Sequence, residues 1–306
     1  MARGSLGILL AAAAACSGSS IFSEVAHVGK GRIGGRAVAP YYIDTAAVTN
    51  EAFRAFVRAH KQDGRPFKTE AERFGWSFVM KAVVPPATLA GTNETLPEAD
   101  WWVPVQGAWW REPEGPGTSV QGRLDHPATH VSLEDATEFC RWRKGKLPSS
   151  AQWEWAARAG KEGGDDLPWA GGEEAAAQRA NLWTGAFPAG NDEADGFTAL
   201  APVRQYGAQN SWGFYNMLGN CWEWTRTPYT GQQKAAPRGA KPPQQWTLHG
   251  GSFVDTIDGS SNHRVTLGTT MGNAADAGSN NLCFRCAYRF APEDAPTVEL
   301  APDDEL

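Results

Sequence analysis

Helical periodicity surfaces at three places along this chain. Thr49 or Asn50 can cap a run reaching Lys61, in which Phe53, Phe56 and Val57 share a face at i, i+3 and i+4. Ser132 opens a second run, with Asp135 at its third helical position and Phe139 and Cys140 turned inward. The third follows Lys146-Leu147-Pro148: Ser149 and Gln152 have capping-box spacing, Trp153, Trp155 and Ala156 supply the apolar stripe, and Gly160 is a stop. Tyr41-Tyr42-Ile43-Asp44 reads as a short strand, whereas the Gly-rich residues 21–40 give no assignable period. From Phe74 to Arg123 the chain is dense in Trp and Pro (FGWSF, ADWWVPVQGAWWREPEGPG). That stretch predicts long ordered loops with short strands, held by aromatic packing rather than by ladder hydrogen bonds. With neither an internal repeat nor a compositional break, the pattern predicts one irregular α+β domain over residues 21–292.

Composition sharpens this picture. In 306 residues there are 34 Gly, 20 Pro and 14 Trp, a mixture that suits many turns and large flat side chains rather than a helical bundle. The net charge of -6 argues against a nucleic-acid surface, which needs a basic stripe. Met1-Ala2-Arg3, an apolar run from Leu6 to Ala15 and the small residues Ser17 to Ser20 have the form of a secretory signal over residues 1–20. No later apolar run is long enough to span a bilayer, so no membrane partner is expected. Residues 293–306 form an acidic tail ending Asp303-Asp304-Glu305-Leu306, which resembles an endoplasmic-reticulum retrieval signal without its usual first residue. Signal and tail together suggest residence in the endoplasmic reticulum lumen; an ordinary acidic tail is the alternative. Asn93-Glu94-Thr95 is then a credible glycosylation sequon.

Four segments, taken together, resemble one family. KLPSSAQWEWAARAG, NLWTGAFPAGNDEADGF, GFYNMLGNCWEWT and SNNLCFRCAYR are similar to the Leu-Pro helix start, first calcium loop, Gly-Asn-x-Trp-Glu-Trp core and closing Gly-Phe-Arg-Cys segment of the formylglycine-generating, sulfatase-modifying domain. The resemblance runs from about Tyr41 to Ala287, and finer features such as DTIDGSSNHR and TTMGN resemble a catalytically inactive branch of that family. It implies a C-type-lectin-like, formylglycine-generating fold with little regular secondary structure. In two places the chain departs from the family pattern: the strand reading Gly-Gly-x-Phe-x-Met-Gly is scarcely visible in HVGKGRIGGRAV, and Cys283 stands where the family has Gly.

Active family members oxidise a sulfatase cysteine to formylglycine with oxygen, using copper held by two thiolates after a Gly-Gly-Ser turn; soft thiolates suit Cu(I). Here Gly250-Gly251-Ser252 is present, yet no cysteine occurs between Ser252 and Leu282. The first family thiol maps near Asp255 or Ile257 and the second near Ser261 or Asn262, none of which replaces a thiolate. The resemblance therefore implies no formylglycine oxidase activity, no catalytic residue and no copper. It pairs Cys140 with Cys286, a loop of about 146 residues to which the chain-entropy model assigns about 4–5 kcal/mol. Cys221 and Cys283 are left as buried free thiols or an additional pair. Cys283-Phe284-Arg285-Cys286 has CxxC spacing, but on a strand residues three apart face opposite sides, which disfavours redox chemistry. His126 and His130 are four apart, yet Pro127 opposes a helix there, and on a strand they would lie about 13 Å apart.

The resemblance also implies two calcium sites. Asn181, Leu182, Asp195 and Phe197 form one, with Leu182 and Phe197 acting through carbonyls; Asn216, Gly219, Cys221 and Glu223 form the other, with Gly219 and Cys221 acting through the backbone. Hard cations take such oxygen sets. On composition alone, Asn191 to Asp195 would be a solvated loop and Glu223 a salt-bridged residue. Trp153, Trp155, Trp222 and Trp224 are expected in the core, whereas Trp101, Trp102, Trp109 and Trp110 could be core or sugar-stacking faces. The expected function is that of a lumenal, calcium-bound pseudoenzyme that binds sulfatases or the active enzyme, the latter as a heterodimer, and modulates sulfatase activation; a homodimer is a further possibility. An enzyme of altered chemistry in the same cleft is the rival, and a lectin-like sugar binder the third reading.

Overall fold

A computed structural model describes residues 21–92, 96, 99–164, 166–188, 190–231 and 244–292. The signal-like segment, the acidic tail and Asn93 lie outside the described residues. The Gly-rich start is regular: Val25–Val28 (β1), Gly31–Ile33 (β2) and Arg36–Val38 (β3) precede Tyr41–Asp44 (β4). β2 and β3 form a hairpin, and β4 lies between β1 and Ala287–Tyr288 (β11), antiparallel to both. These strands escaped the sequence because each is only three or four residues long and because a glycine begins β2. Gly31 has a packing role: a Cβ there would lie 1.9 Å from the Trp155 ring.

Asn50–Gln62 (α1) starts where Thr49 accepts a hydrogen bond from the Ala52 amide, 3.2 Å away, and it buries Phe53 and Phe56. The Trp- and Pro-dense stretch then departs from expectation. Glu70–Phe74 (α2) and Pro86–Ala90 (α3) are short helices, and Trp76–Met80 (β5) pairs antiparallel with Trp102–Gln106 (β6) in a full ladder from Trp76↔Gln106 to Met80↔Trp102. Ladder hydrogen bonds as well as aromatic packing hold this region. Its alternation was hidden because the face opposite buried Ser77 and Val79 carries Trp76 and Phe78 rather than polar residues.

Leu133–Trp142 (α4) and Ser150–Ala157 (α5) begin with the predicted capping boxes, Ser132 with Asp135 and Ser149 with Gln152. Asp135 also accepts from the Glu70 amide, tying the start of α2 to α4. Ala176–Arg179 (α6) is a single turn. Trp222–Pro228 (β7), Gln245–His249 (β8), Thr270–Ala274 (β9) and Leu282–Cys283 (β10) form a sheet ordered β10-β7-β8-β9, in which only the β10–β7 pair is parallel.

One aromatic core lies between α1, α4 and this sheet. Phe53 stacks on Phe139 with ring centroids 5.9 Å apart, and Trp110, Trp222, Trp224 and Phe284 complete it. A second gathers Ile43, Trp153, Phe214 and Met217, with Trp155 over β2. All four tryptophans assigned to the core are buried. Of those left open, Trp110 is core, while Trp101, Trp102 and Trp109 are half-buried. Each fully buried side chain of this size contributes about 1.5–3 kcal/mol or more relative to exposure.

Two disulfides staple the layers. Cys140 on α4 joins Cys286, with Cα atoms 5.5 Å apart, as the family resemblance implied. Cys221 joins Cys283 at 5.8 Å across the start of β7 and β10, so these two form a pair and are not free thiols. The cysteines of the Cys283–Cys286 segment thus bond to different partners. Among the described residues no helix is long and apolar enough to cross a membrane.

Candidate functional site

β8 leaves the sheet through Gly250 (φ +99) and Gly251 (φ +72), backbone conformations that favour glycine; a Cβ on Gly250 would meet the Met217 carbonyl oxygen at 2.9 Å. The Ser252 amide and hydroxyl both donate to Asp255 Oδ2, at 2.8 and 2.7 Å. Asp255 Oδ1 accepts from the His263 amide at 3.3 Å and faces His263 Nδ1 at 3.1 Å. The Asn281 side-chain amide donates to Ser252 Oγ, and the Ser279 hydroxyl donates to Asn281 Oδ1 at 2.6 Å. The hydrogen bond that His263 donates to Asp255 holds its imidazole above its ordinary pKa against the opposing effect of partial burial.

This polar chain forms one wall of a cavity of about 250 Å³. Phe78, Trp102, Trp222, Met271 and Leu282 provide apolar walls. Asp255 and Asn262 line the cavity, whereas Ile257 packs against the second core and Ser261 is tied to Thr256 in a turn. Of the four positions near which the resemblance placed the family thiols, Asp255 and Asn262 line the cavity and Ile257 and Ser261 do not. The sequence did not show that Asp255 and His263, eight residues apart, would pair at this cleft.

Two further loops, 181–197 and 216–223, carry the residues that the resemblance links to calcium. Asp195 is buried; its Oδ2 accepts from the Leu182 amide at 2.8 Å and its Oδ1 from the Phe197 amide at 3.0 Å, so one carboxylate gathers three of the first four residues. Asn181 donates through its side chain to Ala199 O at 2.6 Å and to Asn220 Oδ1 at 2.9 Å. Burial pushes the Asp195 carboxyl above its usual range, and among the described residues no Lys or Arg pairs with it. A buried carboxylate without a Lys or Arg partner is a hard oxygen ligand of the kind calcium takes.

The second set is arranged differently. Asn216 (φ +45) donates to Val203 O, and Gly219 sits so close to Asn181 that a Cβ there would meet its carbonyl oxygen at 2.6 Å, which makes the two loops neighbours. Glu223, however, is fully engaged. Arg285 grips it in a bidentate pair, Nη2 to Oε1 at 2.6 Å and Nε to Oε2 at 2.7 Å, and Trp153 Nε1 also donates to Oε2 at 2.7 Å. Its charge is already balanced by Arg285, so this set offers a cation carbonyl and amide oxygens but no unneutralised carboxylate. The histidines have other roles. Buried His130 engages Ser77 Oγ and Pro113 O, each at 2.8 Å, while His126 faces Asp125. Among the described residues no three His, Cys, Asp or Glu side chains converge on a common point.

Residues 31–290 match the family described as the sulfatase-modifying factor enzyme 1-like domain. The chain belongs to this family. It is 44% identical over 252 residues to mouse (Mus musculus) inactive C-alpha-formylglycine-generating enzyme 2, a match covering 82% of this chain and 75% of that protein. It is 38% identical over 273 residues to the formylglycine-generating enzyme of Thermomonospora curvata, covering 85% of each. The solved structure of PvdO from Pseudomonas aeruginosa superimposes with a TM-score of 0.53 at 19% identity, covering 84% of this chain and 85% of that one, which shows a shared fold. This chain carries the Gly250-Gly251-Ser252 turn, the buried Glu223–Arg285 pair and a cleft lined by Asp255 and Asn262.

Proposed function

We propose that this protein is a catalytically inactive member of the family, resident in the endoplasmic reticulum lumen, that binds unfolded sulfatase segments or the active enzyme and so restrains sulfatase activation. The observation that carries this reading is the cleft itself: it is fully formed and walled by aromatic side chains, yet its floor holds Asp255 and Asn262 and no thiol. All four cysteines among the described residues are in disulfides, and a disulfide sulfur supplies no thiolate for Cu(I). That the mouse relative is an inactive C-alpha-formylglycine-generating enzyme 2 supports the catalytically inactive part of this reading.

Calcium belongs to this proposal as a structural ion. Asn181, Leu182, Asp195 and Phe197 would hold it, and its charge would balance Asp195. The second set, Asn216, Gly219, Cys221 and Glu223, would bind more weakly because Arg285 already neutralises Glu223. Metal analysis after dialysis should find at least one equivalent of calcium retained, with Asp195→Asn lowering it; retention of less than one equivalent would remove calcium from the account. For the partners, capture from a lumenal extract should recover sulfatases or the active enzyme, and recovery of neither would overturn the binding role.

A further inference from the structure

The buried Asp255 has all of its hydrogen-bonding positions assigned within the chain: Ser252 on Oδ2, His263 on Oδ1. Because a carboxylate only accepts, His263 Nδ1 carries its proton toward Asp255. That leaves Nε2 as the ring nitrogen with no protein partner among the described residues. The Trp222 ring stands edge-on at 5.2 Å, the His263 side chain is 41% exposed, and it lines the cavity. A buried carboxylate that fixes one nitrogen of a histidine at a cavity wall and leaves the other without a protein partner is the arrangement by which a histidine is set up to accept protons. The neighbouring Arg264 is turned away onto Glu173 at 2.7 Å, so Asp255 is the charge that acts on this ring.

We propose that His263, oriented by Asp255, accepts the proton of a thiol on a peptide segment bound in this cleft. This rests on the client-binding function proposed above. The choice of a thiol follows from proton affinities. A free thiol has a pKa near about 8.5, close enough to an imidazole for the proton to move, whereas an aliphatic hydroxyl is far too weak an acid and a carboxylic acid is already ionised. In the step, the S–H proton passes to His263 Nε2, leaving a thiolate beside an imidazolium. No bond to sulfur forms, no electron leaves it, and no oxidant is consumed. The cleft holds a client cysteine in anionic form without converting it.

The test is carbon NMR of a Cys-Xaa-Pro-Xaa-Arg peptide labelled at the cysteine Cβ, titrated with pH while free and while bound to wild type or His263→Gln. His263 is partly exposed, so this variant should fold, which a thermal melt checks. The proposal expects the thiolate fraction of the bound peptide near pH 7 to rise about tenfold over the free peptide, equivalent to lowering the pKa by about one unit. The rise should vanish in His263→Gln, measured at peptide concentrations that saturate that variant. A bound peptide whose thiol titrates as in solution would overturn this inference and leave client binding standing. Failure of both the cysteine peptide and its serine analogue to bind would remove the client-binding reading, and this inference with it.

Discussion

Two buried carboxylates, Glu223 within β7 and Asp255 in the loop that follows β8, are treated in opposite ways. Glu223 is buried and saturated: Arg285 meets both oxygens, Trp153 meets one, and the guanidinium spends its remaining donors on the Asp44, Thr45 and Tyr215 carbonyls. Asp255 is equally buried, but its ionic partner His263 reaches a cavity and keeps one nitrogen uncommitted. The first cluster closes the fold. The second leaves a group facing any ligand. A buried polar network with every atom assigned is architecture, and one with an atom left over at a cavity wall is where function belongs.

The contrast can be broken by mutation. Arg285→Ala strands a buried carboxylate and should cost about 3–5 kcal/mol, read by chemical denaturation; a loss below about 1 kcal/mol would mean that the pair is not a frame element. Cys140→Ser, removing the staple between α4 and the segment before β11, should cost about 2–5 kcal/mol in the same measurement. His263→Gln should fall within about 0.5 kcal/mol of wild type, because its ring is partly exposed and Asp255 keeps its Ser252 bonds. A large loss there would make His263 structural and erase the distinction.

A pH-dependent effect comes from His130. Burial lowers its pKa to about 4, against an ordinary 6.5. The unfolded chain therefore binds a proton that the folded chain refuses as pH falls below 6.5, so this group's contribution is fully present above 6.5 and is lost progressively toward pH 4. The stability advantage of wild type over His130→Gln should shrink between pH 7 and pH 5 by on the order of 2 kcal/mol. An unchanged gap would show that His130 is not held neutral.

Much of this was legible in the sequence where local chemistry determines structure. Thr49, Ser132 and Ser149 each accept the expected amide, since a cap depends on residues two or three positions away. The Cys140–Cys286 bridge followed from family resemblance. What was illegible depends on distant packing. Gly31 reads as a breaker until Trp155 is placed over it, and the β5–β6 ladder is masked by aromatic residues on its outer face. The fate of Glu223 depends on Arg285, 62 residues away, and the pairing of Cys221 with Cys283 on the parallel contact of β7 with β10. The Asp255–His263 pair requires the turn after Gly251 to fold the chain back on itself, which no period or motif announces.

The central claim of the proposed function is that this cleft does not oxidise a bound cysteine. Mass analysis of a Cys-Xaa-Pro-Xaa-Arg peptide incubated with the purified protein, copper and oxygen tests it most directly. The account predicts that the peptide returns with its cysteine unconverted, while formation of formylglycine above a protein-free control would contradict it.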